Sequence, residues 1–327
     1  MRGTAILLVL IFALALAAAE FPQAEITNGP IKAKLYLPDP KDGYYRGTRF
    51  DWSGVIASLE YGGHNYFGPW LEKHDPKVHD AIAGPVEEFR TGTSALGYEE
   101  AKPGETFVKI GIGVLRKGNE PRYSFSGPFE IVDTGKWEVR KGSDWIEFVQ
   151  TLTDKSGYAY VYRKRVSLAK GKPEMSLEHS LRNTGSRVIE TLVYDHNFFV
   201  LDNLPSGPGF VVEFPFELQG TRDLRGLAEV RGRQIVYLQE LAQGKSVGTD
   251  IKGFGATAKD YDIRVENHKA GAGVRITADQ PLSSLYFWTA RTTVCPEPYI
   301  NFRIEPGAEV AWRVNYEFYA LPARGAN

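Results

Sequence analysis

The chain has 327 residues with 39 basic and 40 acidic side chains, a net charge of −1, and 43% hydrophobic and 24% charged residues, the proportions of a packed globular protein. So even a balance argues against a nucleic-acid partner, because binding a phosphate backbone needs a basic face. Cys295 is the single cysteine, so no intramolecular disulfide can form and stability has to come from a large core.

Met1-Arg2-Gly3, the apolar run from Ala5 to Leu16 and then Ala17-Ala18-Ala19 have the layout of a secretory signal: a basic start, an apolar middle and small residues before a cut. The apolar run is shorter than the roughly 20 residues of a spanning helix. Cleavage is expected before Glu20, removing residues 1–19 and leaving 20–327 as one exported domain, periplasmic or extracellular and free of the membrane. Its 34 Gly, 19 Pro, 17 Tyr and 18 Phe combine turn formers with strand-favouring aromatics. No long stretch carries a 3.6-residue apolar period, so an all-β fold is expected.

In chain order, a short alternating strand from Ile31 to Leu37 ends at the loop Pro38 to Gly43. An extended stretch follows from Tyr45 to Leu59, in which Arg49 and Asp51 lie two apart and would face the same side. Residues 68–80 read as a loop leading into Gly84-Pro85-Val86-Glu87-Glu88-Phe89-Arg90. Neighbouring strand residues point to opposite faces, so one member of the Glu87-Glu88 pair is expected to point inward. A buried carboxylate needs a partner, either an arginine such as Arg90 or the hydroxyl of a ligand; His79, Glu87 and Glu88 are candidates for that ligand contact.

One strand is expected from Thr106 to Leu115 and two between Trp137 and Leu152. From Tyr158 to Leu168, Tyr158, Tyr160, Tyr162, Val166 and Leu168 share one parity and Arg163, Arg165 and Ser167 the other. In the next strand His179 falls on the apolar parity with Met175, Leu177 and Leu181, which marks it as a core or cross-strand histidine. The turn Asn183-Thr184-Gly185-Ser186 then leads to a strand on which Leu192, Tyr194, His196 and Phe198 share a face. Residues 244–262 read as a Gly- and Asp-rich connection; Gly253-Phe254-Gly255 within it is no phosphate loop. Strands follow at 263–266, 273–278 and 284–289, then Cys295-Pro296-Glu297-Pro298-Tyr299, then a last strand with Val310, Trp312, Val314, Tyr316 and Phe318 on one parity. On residues alone, His196 is either a packed histidine or a functional one. Glu297 either caps a loop against Arg291 or Arg303 or supplies a carboxylate for chemistry.

These segments resemble the aldose 1-epimerase family, the galactose mutarotases and their relatives. The resemblance rests on Asn183-Thr184-Gly185 followed by Asp195-His196-Asn197-Phe198-Phe199, and on Tyr286-Phe287-Trp288, Cys295-Pro296-Glu297-Pro298, Pro306-Gly307 and the closing strand in that order. It covers roughly Trp137 to Leu321. The N-terminal half departs from the pattern: the nearest counterpart of the family's His-Gly-Gly sugar loop is Val78-His79-Asp80, and Asp195 stands where the family has Asn.

The resemblance implies a large antiparallel β-sandwich of the galactose mutarotase-like type, with His196 as general acid and Glu297 as general base. Taking the proton of an anomeric hydroxyl while protonating the ring oxygen opens a sugar ring with no metal and no redox cofactor. With reference pKa values of about 4.3 for Glu and about 6.5 for His, an ionised Glu297 facing an imidazolium is the expected state. Tyr194, Phe198 and Trp288 are candidates for stacking on the ring, and Arg49, His79 and Glu88 for holding its hydroxyls. The ligand is then a small carbohydrate. The rival readings are a noncatalytic carbohydrate-binding protein of the same fold and an accessory domain of a polysaccharide-cleaving enzyme.

Overall fold

The computed structural model describes residues 21–322; the signal layout of residues 1–19 lies outside them. Among the described residues nearly every element is an antiparallel strand, the one helical piece being a single 3-10 turn at Ala258–Asp260. Among the described residues no helix is long and apolar enough to cross a membrane.

Two sheets carry the architecture. A ten-stranded sheet includes Trp145–Thr153, Ala159–Leu168, Glu174–Asn183, Glu309–Ala320 and Ala272–Ala278 as consecutive neighbours. A six-stranded sheet orders Gln219–Gly220, Ser246–Lys252, Ser284–Ala290, Thr293–Ile304, Ile189–Phe198 and Gly84–Arg90 side by side. Their inner faces meet: Phe89 of the smaller sheet packs edge-on against Tyr162 and Trp312 of the larger, at centroid separations of 5.2 and 6.2 Å. The parity expected for Tyr160, Tyr162, Val166 and Leu168 puts all four in this core. His179 lies there too, stacked on Trp312 at 4.6 Å.

The other face of the six-stranded sheet is covered over part of its area by a second apolar core. Tyr45, Phe50 and Trp52 from the irregular stretch before Val55–Tyr61 join Phe107, Ile112 and Leu115 from a hairpin, and together they pack on Val86, Tyr194 and Phe198. That hairpin is Thr106–Lys109 and Gly113–Arg116, where one continuous strand was expected. The chain turns at Gly111, whose φ of +79° favours glycine and where a Cβ would lie 2.7 Å from the Asp51 carboxylate. Residues 47–54 are not extended either, so the expected alignment of Arg49 with Asp51 fails: Arg49 turns outward and Asp51 inward, accepting from Ser53 and Tyr162.

Two further expectations are corrected. Ser246–Lys252, inside the span read as a connection, is a strand of the six-stranded sheet; its Val247, Thr249 and Ile251 supply buried positions between the glycine and aspartates that masked the pattern. Cys295 to Tyr299, read as a segment between strands, lies inside the twelve-residue strand Thr293–Ile304 despite its two prolines.

Candidate active site

The prolines explain the site. Ile189–Phe198 and Thr293–Ile304 pair antiparallel with Tyr194 opposite Tyr299, and the same register returns at an isolated bridge between Phe199 and Val294. His196 is therefore directly opposite Glu297. Phe199 and Val294 exchange both backbone hydrogen bonds at 3.2 Å, and such pairs alternate with unbonded ones along an antiparallel ladder. The next positions at which the second strand would donate are Pro296 and Pro298, which have no N–H. The ladder opens between Tyr194 and Phe199, and the Asn197 amide repairs it by donating to the carbonyl of Pro296 at 2.9 Å and of Asp195 at 3.3 Å. Tyr316 of the facing sheet fixes that amide by donating to its oxygen at 2.8 Å.

In this gap His196 Nε2 lies 3.3 Å from Glu297 Oε1. Both line a pocket of about 620 Å³ whose walls include Arg49, His79, Asp80, Arg90, Trp288 and Tyr299. The imidazole is held by rings rather than by polar contacts: it stacks on Phe198 at 3.9 Å, with Phe50 and Trp288 edge-on at 5.5 and 5.7 Å. Its buried Nδ1 has no hydrogen-bond partner. Tyr299 donates to the other Glu297 oxygen at 3.3 Å and stacks on Tyr194.

The burial of the pair works against the ionisation expected for it. Burial pushes Glu297 up to about 8, with only partial relief from the Arg49 charge. Burial, reinforced by the same Arg49 charge, holds His196 well below its ordinary 6.5. Desolvation thus works against the charged form of both groups, favouring a neutral carboxyl facing a neutral imidazole over a carboxylate facing an imidazolium.

Arg49, His79 and Trp288 all reach this pocket; Glu88 does not. Glu88 is buried beneath Arg49, taking hydrogen bonds from Arg49 Nε at 2.9 Å, Lys109 at 3.0 Å and Tyr194 at 2.5 Å. Burial opposes its ionisation, but the Lys109 and Arg49 charges prevail and hold it at about 2. Its role is to anchor Arg49, which reaches on to Asp80 and lies over the rings of Phe50 and Phe125. Glu87 points the opposite way, into the inter-sheet core, as one of the two was expected to do. Glu87 pairs there with Lys164 and His179, and Glu88 with Lys109 and Arg49; neither pairs with Arg90. Phe198 lies under the imidazole with no exposed surface, which removes it as a stacking platform.

Several pocket residues were given no role of their own from the sequence. Asp80 hid in a loop; its burial opposes ionisation, and His79 and Arg49 overcome it. Arg222 and Asp250 pair at 3.0 Å on the pocket wall, Asp250 inside the span read as a connection. Tyr286 stands beside them over Gly248, where a Cβ would come within 2.5 Å of the tyrosine hydroxyl.

Neither a protein-family model nor any curated protein matches the sequence. Solved structures do. A Synechocystis protein aligns over 95% of this chain and 100% of its own with a TM-score of 0.58 at 12% identity. A galactose mutarotase-like protein from Lactobacillus casei aligns over 91% and 100% with a TM-score of 0.55, also at 12% identity. The fold is the galactose mutarotase-like β-sandwich. A Caenorhabditis elegans homologue of aldose epimerase shares this sandwich over 91% of the chain and 99% of its own, with a TM-score of 0.51 and 14% identity. At such identities the likeness is one of fold. On this galactose mutarotase-like frame, the His196–Glu297 gap and the pocket above it are read from the chain's own residues.

Proposed function

We propose that this chain is an exported, aldose 1-epimerase-like enzyme that interconverts the anomers of a free sugar or an oligosaccharide end. The observation that carries the reading is the directly opposed His196–Glu297 pair at the floor of a ring-sized pocket, 3.3 Å apart and touching no permanent charge of opposite sign. One member takes the proton of the anomeric hydroxyl while the other protonates the ring oxygen. The bond between ring oxygen and anomeric carbon breaks to give the open aldehyde, the C1–C2 bond rotates, and the reverse transfers close the ring.

Because the pair needs one proton in total, its activity is the same function of pH whichever partner holds that proton at rest. Arg49 stands ready to donate to ring hydroxyls, His79 and Asp80 to exchange hydrogen bonds with them, and Trp288 to face an apolar patch of the ring. The decisive measurement is the decay of optical rotation of a freshly dissolved pure anomer with the parent protein, His196→Gln and Glu297→Gln. A rate unchanged by either substitution removes this mechanism.

One observation favours a second reading, a noncatalytic sugar-binding protein. His196 Nδ1 has no hydrogen-bond partner, so no polar group orients the imidazole as a catalytic histidine is commonly oriented. Calorimetric binding of a sugar without any acceleration of its anomerisation would select that reading.

A further inference from the structure

The charged side chains that line the pocket are paired, with one exception. Arg49 is held by Asp80 and Glu88, Asp80 also by His79 at 3.2 Å, and Arg222 by Asp250 at 3.0 Å. Arg90, at the end of Gly84–Arg90, has no carboxylate within ion-pair distance among the described residues, and its buried Nε has no hydrogen-bond partner. Glu88 is the carboxylate whose charge acts on it, but both Glu88 oxygens are taken by Lys109, Arg49 and Tyr194. Arg90 also feels the hydroxyls of Tyr194 and Tyr299, and the latter touches Glu297. The unpaired guanidinium thus belongs to the same hollow as the His196–Glu297 pair, displaced along the strand from it.

A buried guanidinium donor with no acceptor is costly, and its planar fork is the geometry that takes a carboxylate through two parallel hydrogen bonds. The charges around the pocket agree. With the His196–Glu297 pair uncharged, the cations Arg49, Arg90, Arg222 and Lys109 outnumber the anions Asp80, Glu88 and Asp250 by one, and that surplus is Arg90.

We propose that Arg90 is an anion subsite and that the sugar taken by this pocket carries a carboxylate, as a hexuronate or a chain end containing one. The inference rests on the reading that the ring lies against His196 and Glu297, with the acidic group directed along the strand toward Arg90.

The test is calorimetric titration with galacturonate, galactose and galactose 6-phosphate, beside polarimetry on the same sugars, for the parent, Arg90→Gln and Arg90→Lys. The parent is expected to bind galacturonate roughly 10- to 100-fold tighter than galactose, the range of one charged hydrogen-bonded contact. Arg90→Gln brings that ratio toward one, and Arg90→Lys, which keeps charge without the fork, retains part of it; should the Gln variant fail to fold by circular dichroism, the Lys variant carries the test. Equal binding of the acid and the neutral sugar, tightest binding of the phosphate, or a preference that survives Arg90→Gln overturns the inference. The two readings fail separately. Anomerisation without acid preference sinks the subsite alone, whereas Arg90-dependent binding of galacturonate without faster anomerisation sinks the catalytic reading and leaves the subsite standing.

Discussion

The two faces of the six-stranded sheet carry nearly the same side chains and put them to opposite uses. On the inner face Glu87 is clasped by Lys164 and by His179 Nε2 at 2.8 Å, with Asp51 and Asp195 close by. On the outer face, one residue further along each strand, Glu88 serves Arg49, and His196 meets Glu297. Burial penalises both histidines and all three glutamates. Lys164, with His179, overcomes that penalty for Glu87 and holds it ionised, at about 2. Glu297 has no such cation in contact and is driven to about 8. A carboxylate with a permanent lysine is a structural fixture; one left beside a neutral imidazole under an open pocket keeps a proton available near neutral pH.

The comparison can be broken from either side. Glu297→Gln is expected to lower the anomerisation rate by roughly 10²- to 10⁴-fold, the usual worth of one general acid–base group, while its thermal melt near pH 7 does not fall. Lys164→Met should do the reverse, costing about 3–5 kcal/mol of stability by leaving Glu87 as an uncompensated buried charge, as read from chemical denaturation. A variant of either kind that moved both quantities equally would erase the distinction between the faces.

The acidity of Glu297 sharpens it further. Below pH 4.5 this carboxyl is protonated in folded and unfolded chains alike; between 4.5 and about 8 only the unfolded chain ionises, so its contribution to stability falls as pH rises through that window. Glu297→Gln should therefore melt above the parent at pH 8 and level with it at pH 4.5. In the same proton count, kcat/KM should fall as pH rises through about 8, where the pair loses its single proton, and hold steady on the acid side until well below 6.5, where His196 takes a second. A rate that climbs through pH 8 would mean that the pair does not work as a one-proton couple. The smallest effect is expected at the gap: Asn197→Ala removes the amide that replaces the missing ladder and should cost about 1–3 kcal/mol, with some loss of rate as His196 and Glu297 drift apart, both measurable on one preparation.

Alternation made much of this legible in advance. It assigned His179 to the core, placed Tyr194, His196 and Phe198 on one face, and sent Glu87 and Glu88 to opposite sides, because a strand's period of two is written in the chain itself. It failed where the backbone departs from that period. Residues 47–54 are irregular, so Arg49 and Asp51 part company. The prolines around Glu297 read as a loop although they sit in a central strand, where their lack of N–H opens the ladder.

By itself, then, the sequence determined that the protein is built of strands, which residues share a strand face, and that one histidine and one late glutamate stand in aromatic surroundings. Tertiary structure alone decided that His196 and Glu297 are opposite one another, that Glu88 lies beneath the pocket while Arg90 stands in it unpaired, and that burial works against the charged forms of His196 and Glu297. The reason is that register between strands a hundred residues apart, and the depth at which a charge is buried, depend on contacts between distant segments, and no local pattern records them.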